Sequence, residues 1–225
     1  MITAVGLSLP ARLLFTLQEA REDNFGSHPV VWQTLSFIPG SKFVLKAAMI
    51  YLQYCGIDNP PRPIIYVNRF AFSRVELEND VIVKTQSSQE VMYGWEVAIE
   101  KNDKGEYVFT APAQGDSDVV RVRNKSGTLE HLTLSTLSNP IPESEPSPIF
   151  YWDMVGTDSS VGLRRFSPTL YAYVSPLHQE NEVLKGKIEP QLINWKQDLK
   201  ALPLVSSWTL TFNPTEQKFT LVRAA

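Results

Sequence analysis

Asp153 is the acidic side chain best placed for acid–base chemistry, because it directly follows three aromatic residues, Phe150, Tyr151 and Trp152. A carboxyl group among rings is poorly solvated, which raises its pKa and lets it hold a proton near neutral pH. Such a group can shuttle a proton in isomerase, cyclase or lyase chemistry, and a site of that kind leaves no linear motif. Asp153 is therefore the predicted catalytic residue.

Aromatic side chains are the other distinctive feature, with five Trp, eight Tyr and eleven Phe in 225 residues. Successive side chains of a strand point to opposite faces, so Tyr151 faces away from Phe150 and Trp152 and both faces carry rings. One face then meets solvent or a partner in a sandwich, or lines the interior of a barrel. The predicted ligand-binding residues are aromatic side chains and two arginines that would meet an acidic group: Tyr93, Trp95, Tyr151, Trp152, Tyr171, Tyr173, Arg164 and Arg165.

Motifs for other chemistries are missing from the sequence. There is no G-x-S-x-G, and Cys55 has no neighbouring histidine, so no Ser or Cys nucleophile is indicated. The histidines His28, His131 and His178 are isolated and lack metal-ligand spacing, and the glycines at 156–162 lack the Lys-Ser/Thr of a phosphate loop. No metal and no cofactor are predicted.

Composition and charge narrow the classes of partner. A net charge of −3 provides no broad positive field for a phosphate backbone, so nucleic-acid binding is not expected. The single cysteine, Cys55, excludes an internal disulfide and favours a reducing compartment. The N-terminal segment has no basic region of the kind that opens a signal peptide, and no apolar run is long enough to span a bilayer. We therefore predict a cytoplasmic protein with no stable membrane insertion, and the sequence leaves its oligomeric state open.

Strand signals dominate the chain. Apolar and polar residues alternate in short segments that recur every dozen or so residues, which is typical of an all-β meander, sandwich or barrel. The clearest hairpin is predicted over 92–110, with its turn at 101–105, and a further turn is predicted at 78–80. Segments 119–123 and 129–137 are predicted to pair with each other.

A near-repeat at 34–45 and 209–221 predicts two similar hairpins, which we expect to be neighbours in one sheet. The predicted fold is a mainly β, single-domain antiparallel barrel or sandwich spanning residues 1–225. Two short amphipathic helices are predicted at about 10–22 and 190–202 from the spacing of their leucines. The proline-rich stretch 139–148 is the one candidate internal boundary and is predicted to be an exposed loop.

These features favour a β-barrel that binds a small hydrophobic or amphipathic molecule in an aromatic-lined pocket. The general look is similar to that of intracellular lipocalin-like barrels, at the level of the fold alone. Three alternatives stay open. The barrel is an enzyme that uses one acid in that pocket as an isomerase, cyclase or lyase; or outward rings stack on sugars, as in a cytoplasmic lectin; or the protein is membrane-active.

Overall fold

The structure is a computed structural model, and it describes most of the chain in fourteen segments. These are residues 2–5, 11–17, 26–37, 42–43, 46–48, 51–53, 63–64, 68–137, 145–165, 168–175, 177–186, 195–201, 208–216 and 218–223.

Twenty-one strands account for the regular structure of these segments. In the first part of the chain they are β1 (Ile2–Val5), β2 (Ala11–Thr16), β3 (Ser27–Pro29), β4 (Gln33–Phe37), β5 (Lys42–Phe43), β6 (Lys46–Ala48), β7 (Tyr51–Gln53) and β8 (Pro63–Ile64). The central part contains β9 (Phe70–Glu78), β10 (Val81–Val91), β11 (Trp95–Lys101), β12 (Tyr107–Phe109), β13 (Ala113–Gln114), β14 (Val119–Asn124) and β15 (Glu130–Thr136). The last part contains β16 (Ser147–Val155), β17 (Ser160–Arg164), β18 (Thr169–Val174), β19 (Trp195–Asp198), β20 (Trp208–Asn213) and β21 (Lys218–Arg223).

The strands form five sheets, in which most neighbours are antiparallel. Their orders are β21-β20-β1-β5, β10-β9-β15-β16-β3, β12-β11-β14-β17 with β13 beside β11, β19-β18-β2-β4, and β6-β7-β8. Two pairs are parallel, β1 with β20 and β11 with β14. The prediction of a mainly β protein is confirmed, and the described residues include neither a helix nor a closed barrel.

The sheet β10-β9-β15-β16-β3 packs apolar side chains on both of its faces, and this packing positions the site described below. One face of the sheet is part of the main core, to which it contributes Phe70, Phe72, Leu132, Leu134, Phe150 and Trp152. The opposite face holds a smaller apolar cluster, formed by Val30, Val75, Ile82, Tyr151 and Val183. Tyr151 therefore faces away from Phe150 and Trp152, as the alternation predicted, but its ring is packed under other side chains.

Several predicted turns and hairpins are confirmed. Strands β9 and β10 form a hairpin at Asn79–Asp80, where both residues have positive φ, +50° and +63°. Asn and Asp tolerate this left-handed conformation, which two-residue hairpin turns require. Strand β11 pairs with β12, and β20 pairs with β21 along its whole length.

Two predicted pairings are wrong. The segments 119–123 and 129–137 do not pair with each other, because β14 lies between β11 and β17 while β15 lies between β9 and β16. In the first near-repeat β4 pairs with β2, and β5 pairs with β1. Strand β5 therefore lies in the same sheet as β20 and β21, but β1 separates it from β20, so the described strands of the two near-repeats are not adjacent.

Both predicted helices are wrong where the structure describes them. In the first, residues 11–16 form β2, between β18 and β4, with Leu13 and Phe15 in the main core and Leu14 in a cluster on the other face. In the second, 195–198 form β19 and a turn follows. Residues 10, 18–22, 190–194 and 202 lie outside the described residues. The proline-rich stretch is described only from 145, and strand β16 begins within it at Ser147.

Candidate functional site

A β-bulge in β16 places Asp153 opposite His131. Glu130 pairs with Val155 and Leu132 with Trp152, so Asp153 and Met154 together oppose the single residue His131. Met154 takes the strained conformation, with φ of +49°, and its side chain is exposed. Bulges of this kind often occur next to active sites, where they redirect side chains.

The side chains of His131, Tyr151 and Asp153 meet on one face of this pair of strands. The Tyr151 hydroxyl donates to Asp153 Oδ1 at 2.9 Å. His131 Nδ1 lies 2.6 Å from the Tyr151 oxygen and 3.1 Å from Asp153 Oδ1. The imidazole stacks on the phenol ring, with ring centroids 5.9 Å apart and an angle of 12° between planes.

These contacts fix which nitrogen of His131 carries a proton. The one hydroxyl proton of Tyr151 goes to Asp153, so at 2.6 Å the His131 Nδ1 must itself carry the hydrogen that it shares with the phenol oxygen. In the neutral imidazole, Nε2 is then the acceptor. No described residue hydrogen-bonds that nitrogen, which leaves it available to a bound molecule.

Lys185 and Asp80 complete the group, which we call the Asp153 cluster: Asp80, His131, Tyr151, Asp153 and Lys185. The ammonium group of Lys185 lies 2.8 Å from Asp80 Oδ1 and 3.4 Å from Asp153 Oδ2. The backbone holds this lysine segment in place, because the amide of Val183 donates to the carbonyl oxygen of Asp80 at 2.8 Å. The cluster thus joins two strands, β15 and β16, with the β9–β10 turn and a separate segment of the chain.

The surroundings shift three pKa values. Burial acts to raise the pKa of Asp153, but the Tyr151 hydroxyl, Lys185 and His131 together outweigh it and hold that pKa below its usual range. This is opposite to the raised pKa expected from the neighbouring rings. Burial, followed by the carboxylate of Asp153, raises the pKa of Tyr151, and the hydrogen bond to Asp80 raises the pKa of Lys185.

Solvent reaches the polar side chains of the cluster, whereas the tyrosine ring beneath them is buried. The side chains of His131, Asp153 and Lys185 are 38%, 37% and 39% exposed. Tyr151 is fully buried, so its hydroxyl is held from below by the packed ring. The cluster therefore combines a fixed hydrogen-bond geometry with access for a small molecule, which is what proton transfer to a substrate requires.

The structure brings Tyr151 to Asp153 but places the other predicted ligand-binding residues elsewhere. Trp152 and Tyr173 are buried in two different apolar clusters, and Tyr171 is packed beside the second of these. None of these three is among the side chains that contact Asp153 within the described residues.

Two predicted residues, Tyr93 and Arg165, contact each other at a second place, and the backbone brings Trp95 and Arg164 near them. The arginine head of Arg165 lies 5.4 Å from the ring centroid of Tyr93. Val119 lies between Gly94 and Arg164. The Gly94 amide donates to the Val119 carbonyl oxygen at 3.0 Å, and Val119 pairs with Arg164 in the sheet. Trp95 follows Gly94 and is 36% exposed. We call this place the Tyr93–Arg165 patch and count Trp95 and Arg164 with it because they adjoin Gly94 and Arg165 along the chain.

Sequence analysis missed His131, Lys185 and Asp80 as members of the site. His131 looks isolated because its partners are on β16, and only the pairing of β15 with β16 brings them together. The alternation of Tyr151 and Asp153 on one face was the available signal. Nothing in the local sequence around Asp80 or Lys185 marks either as a partner of the other.

A second buried polar network lies at the other end of the same bulge. Glu130 is almost fully buried and accepts hydrogen bonds from Arg74 at 2.6 Å, Thr128 at 2.6 Å and Ser126 at 2.8 Å. The guanidinium of Arg74 also lies 3.9 Å from the ring centroid of Tyr107. Glu130, Arg74, Thr128 and Ser126 thus provide hydrogen-bond partners for one another, and the network stabilises the β14–β15 connection.

A groove of about 570 Å³ runs along β10. Its described walls contain no aromatic side chain and are formed by Ile82, Val83, Lys84, Thr85, Gln86, Ser87, Ser88, Glu145, Pro146, Pro148 and Asn181. Within the described residues, no group of three or more His, Cys, Asp or Glu side chains is placed to hold a metal ion. The same segments contain no helix long and apolar enough to cross a membrane.

Fold and site together define a mainly β protein with a half-exposed His–Tyr–Asp–Lys cluster at a bulge between two strands. No protein-family model, no curated protein and no solved structure matches the chain. The chemistry of the site is therefore the basis on which the function is inferred.

Proposed function

We propose that the protein is an enzyme that moves a proton within a small molecule, in a reaction of the isomerase, cyclase or lyase type, at the Asp153 cluster. The observation that carries this proposal is the contact of His131 Nδ1 with both the Tyr151 oxygen, at 2.6 Å, and Asp153 Oδ1, at 3.1 Å. A histidine held through one nitrogen by a carboxylate, with the other nitrogen open, is a common general base.

His131 Nε2 accepts a proton from a carbon or hydroxyl of the substrate and returns it to another atom of the same molecule. Asp153 is a positioning residue in this step, because it orients the imidazole and stabilises the imidazolium that forms. Its lowered pKa supports this role, since the carboxylate stays ionised over the neutral pH range.

Lys185 supplies a positive charge that can stabilise negative charge developing on the substrate. An ammonium group has three N–H donors, and Asp80 and Asp153 take two of them, at 2.8 Å and 3.4 Å. The third donor serves a carbonyl oxygen on which negative charge develops. Two carboxylates beside one ammonium disfavour an anionic substrate, so we expect a neutral molecule with a carbonyl group.

Solvent deuterium exchange tests the proposal without a known substrate. The protein is incubated in D₂O with a panel of small neutral ketones, aldehydes and ketoses, and loss of the carbon-bound proton next to the carbonyl is followed by proton NMR. We expect exchange in at least one compound, reduced about 10²- to 10⁴-fold by His131→Gln. Asp153→Asn should also lower the rate, because the imidazole has lost the carboxylate that orients it.

Asp118→Asn is the matched control, since Asp118 is a largely exposed aspartate that faces a different cation, Arg165. This variant should exchange protons at the wild-type rate. Wild-type protein that catalyses no exchange across the panel, or an Asp153→Asn variant with an unchanged rate, contradicts the proposal.

A carrier of small hydrophobic or amphipathic molecules is the second candidate, and the Tyr93–Arg165 patch favours it. The half-exposed Trp95 ring and the exposed arginines Arg164 and Arg165 suit an apolar body with an acidic end. Native mass spectrometry of freshly purified protein tests this, and a co-purifying small molecule retained by Asp153→Asn but lost by Trp95→Ala is the expected result. The single cysteine supports the cytoplasm as the place where either function operates.

A further inference from the structure

Strand β10 is the last strand of its sheet, and its outer side is paired only at its beginning within the described residues. Val81 forms a bridge with Glu182, and the Ile82 amide donates to the Asn181 carbonyl oxygen at 3.0 Å. Beyond Ile82 no described strand continues this antiparallel pairing. A strand edge of this kind offers backbone donors and acceptors to another chain.

The groove lies along this same edge. Seven consecutive residues of β10, from Ile82 to Ser88, line it, so the strand itself forms one wall. Glu145, Pro146 and Pro148, at the start of β16, form the wall opposite. Prolines have no amide hydrogen, so this wall is poorly suited to pair with β10 and close the gap.

The size of the groove fits a short extended segment. A strand in a sheet takes up roughly 160 Å³ per residue, from spacings of about 3.3 Å along the strand, 4.8 Å between strands and 10 Å between layers. A volume of about 570 Å³ therefore holds roughly three to four residues.

The lining indicates which peptide chemistry fits. Lys84 and Glu145 are its charged side chains, and their charges are opposite, so the groove does not favour a peptide with a net charge of either sign. Hydroxyl and amide side chains predominate along β10, and the Ser87 hydroxyl is buried with no hydrogen-bond partner among the described residues. A buried polar group without a partner is rare and marks a place where a ligand can supply one.

We propose that this groove binds an extended, uncharged peptide segment of another protein, which adds as a strand to β10 and continues the ladder that Asn181 and Glu182 begin. The backbone of the peptide provides the affinity, and its alternate side chains contact the hydroxyls of β10 and the two prolines. This interaction does not depend on the proposed acid–base activity, because Asp153, His131 and Lys185 are not part of the groove lining.

The probe is a displayed library of random heptapeptides, selected on the full-length protein and measured as labelled synthetic peptides by fluorescence anisotropy. We expect the enriched peptides to slow amide hydrogen exchange at residues 83–88. Methylating the backbone nitrogens of a peptide one at a time should weaken binding more than tenfold at alternate positions and little at the positions between, because only every second amide of an edge strand faces its neighbour.

Thr85→Trp fills the groove from an exposed position of β10 and should weaken peptide binding more than tenfold. Thr220→Trp, at an exposed position of β21, is the matched control and should bind like the wild type. If no enriched peptide protects 83–88, or if methylation weakens binding without alternation, the proposal is wrong. Dimerisation of the free protein with protection of 83–88 in sedimentation and exchange experiments would also overturn it, since the occupant would then be a second copy.

Discussion

Asp153 Oδ1 lies 3.1 Å from Nδ1 of His131, and the two residues face each other across neighbouring strands. Directly opposed residues of an antiparallel pair have side chains close enough to contact. The pairing of Leu132 with Trp152 therefore places the adjacent residues His131 and Asp153 opposite each other. Met154 is the extra residue of the bulge. It turns outward, which lets Val155 join Trp152 in the main core while Asp153 stays beside His131.

Replacing Tyr151 by Phe tests whether the phenol sets the charge state of the site. The hydroxyl donates to Asp153 and helps to lower its pKa, so Tyr151→Phe should raise the pKa of Asp153. The variant should also lose about 1 kcal/mol of unfolding free energy with the hydrogen bond. Carbon-detected NMR titration of the aspartate carboxyl and urea unfolding measure the two effects.

Tyr107→Phe serves as the control for this substitution, because the Tyr107 hydroxyl contacts Thr128, outside the Asp153 cluster. It should leave the titration of Asp153 unchanged. An Asp153 pKa that is the same in Tyr151→Phe and in the wild type would mean that the phenol does not contribute to the acidity of the site.

Glu130 should make the protein sensitive to acid. Burial acts to raise its pKa, but hydrogen bonds from Thr128, Arg74 and Ser126 outweigh it, so the folded-state pKa is below that of the unfolded chain. The stability from this group is present above the unfolded value of about 4.3 and is lost as the pH falls through the folded value. Unfolding free energy measured from pH 6 to pH 2 should therefore fall more steeply in the wild type than in Glu130→Gln.

At pH 7 the Glu130→Gln variant should be destabilised by about 3 kcal/mol, because Arg74 would lose the charge that compensates it. Glu90→Gln is the comparison, since Glu90 pairs with Arg69 at 2.6 Å but both side chains are about one-third exposed, 35% and 34%. The unfolding free energy that Glu90→Gln loses should stay below about 1 kcal/mol. Equal losses in the two variants would contradict the role assigned to burial.

The β class, the turn at 78–80 and the hairpins at 92–110 and 209–221 were predictable, because their signals are local: alternation interrupted by turn residues. The helix predicted at 10–22 failed because β2 is buried on both faces. Leu13, Leu14 and Phe15 are all buried, and a strand of that kind shows no alternation, so its leucines match a helical spacing by chance.

The site was only half predictable for a different reason. Asp153 and Tyr151 are two residues apart on one strand, so their common face follows from the sequence. His131 and Lys185 reach them through non-local pairing, of β15 with β16 and of the 181–184 segment with Asp80–Ile82. The sequence alone also suggested the wrong direction for the pKa of Asp153, because it contains no information on the three partners that outweigh burial.

Met154 should be easier to replace by glycine than by alanine. Its φ of +49° is costly for a residue with a side chain, and the exposed side chain contributes little packing. Met154→Gly removes the strain at the cost of greater freedom in the unfolded chain, so it should be more stable than Met154→Ala by about 1 kcal/mol. Urea unfolding of the two variants measures the difference, and an alanine variant at least as stable as the glycine one would contradict the strain.

Gly162 lies where strands β14 and β17 come closest. It pairs with Arg121, and a Cβ atom at Gly162 would overlap the Val120 carbonyl oxygen and lie 3.1 Å from the Arg121 Cα. Both neighbours are backbone atoms of a paired strand and cannot rotate away, so Gly162→Ala should force the strands apart and cost about 1–3 kcal/mol of unfolding free energy. The Tyr93–Arg165 patch should be disturbed as well, because Arg164 is held by the same pairing with Val119.

Gly186→Ala is the matched control for this last prediction, since a Cβ atom at Gly186 would have no heavy atom of the described residues within 4 Å and this glycine has no positive φ. Its stability should equal that of the wild type or slightly exceed it, because alanine reduces the freedom of the unfolded chain. Chemical denaturation gives the stabilities, and amide exchange at 119–123 reports on the β14–β17 ladder. If Gly162→Ala unfolds at the same urea concentration as Gly186→Ala, with β14 equally protected, the two strands are not as closely packed as the structure has them.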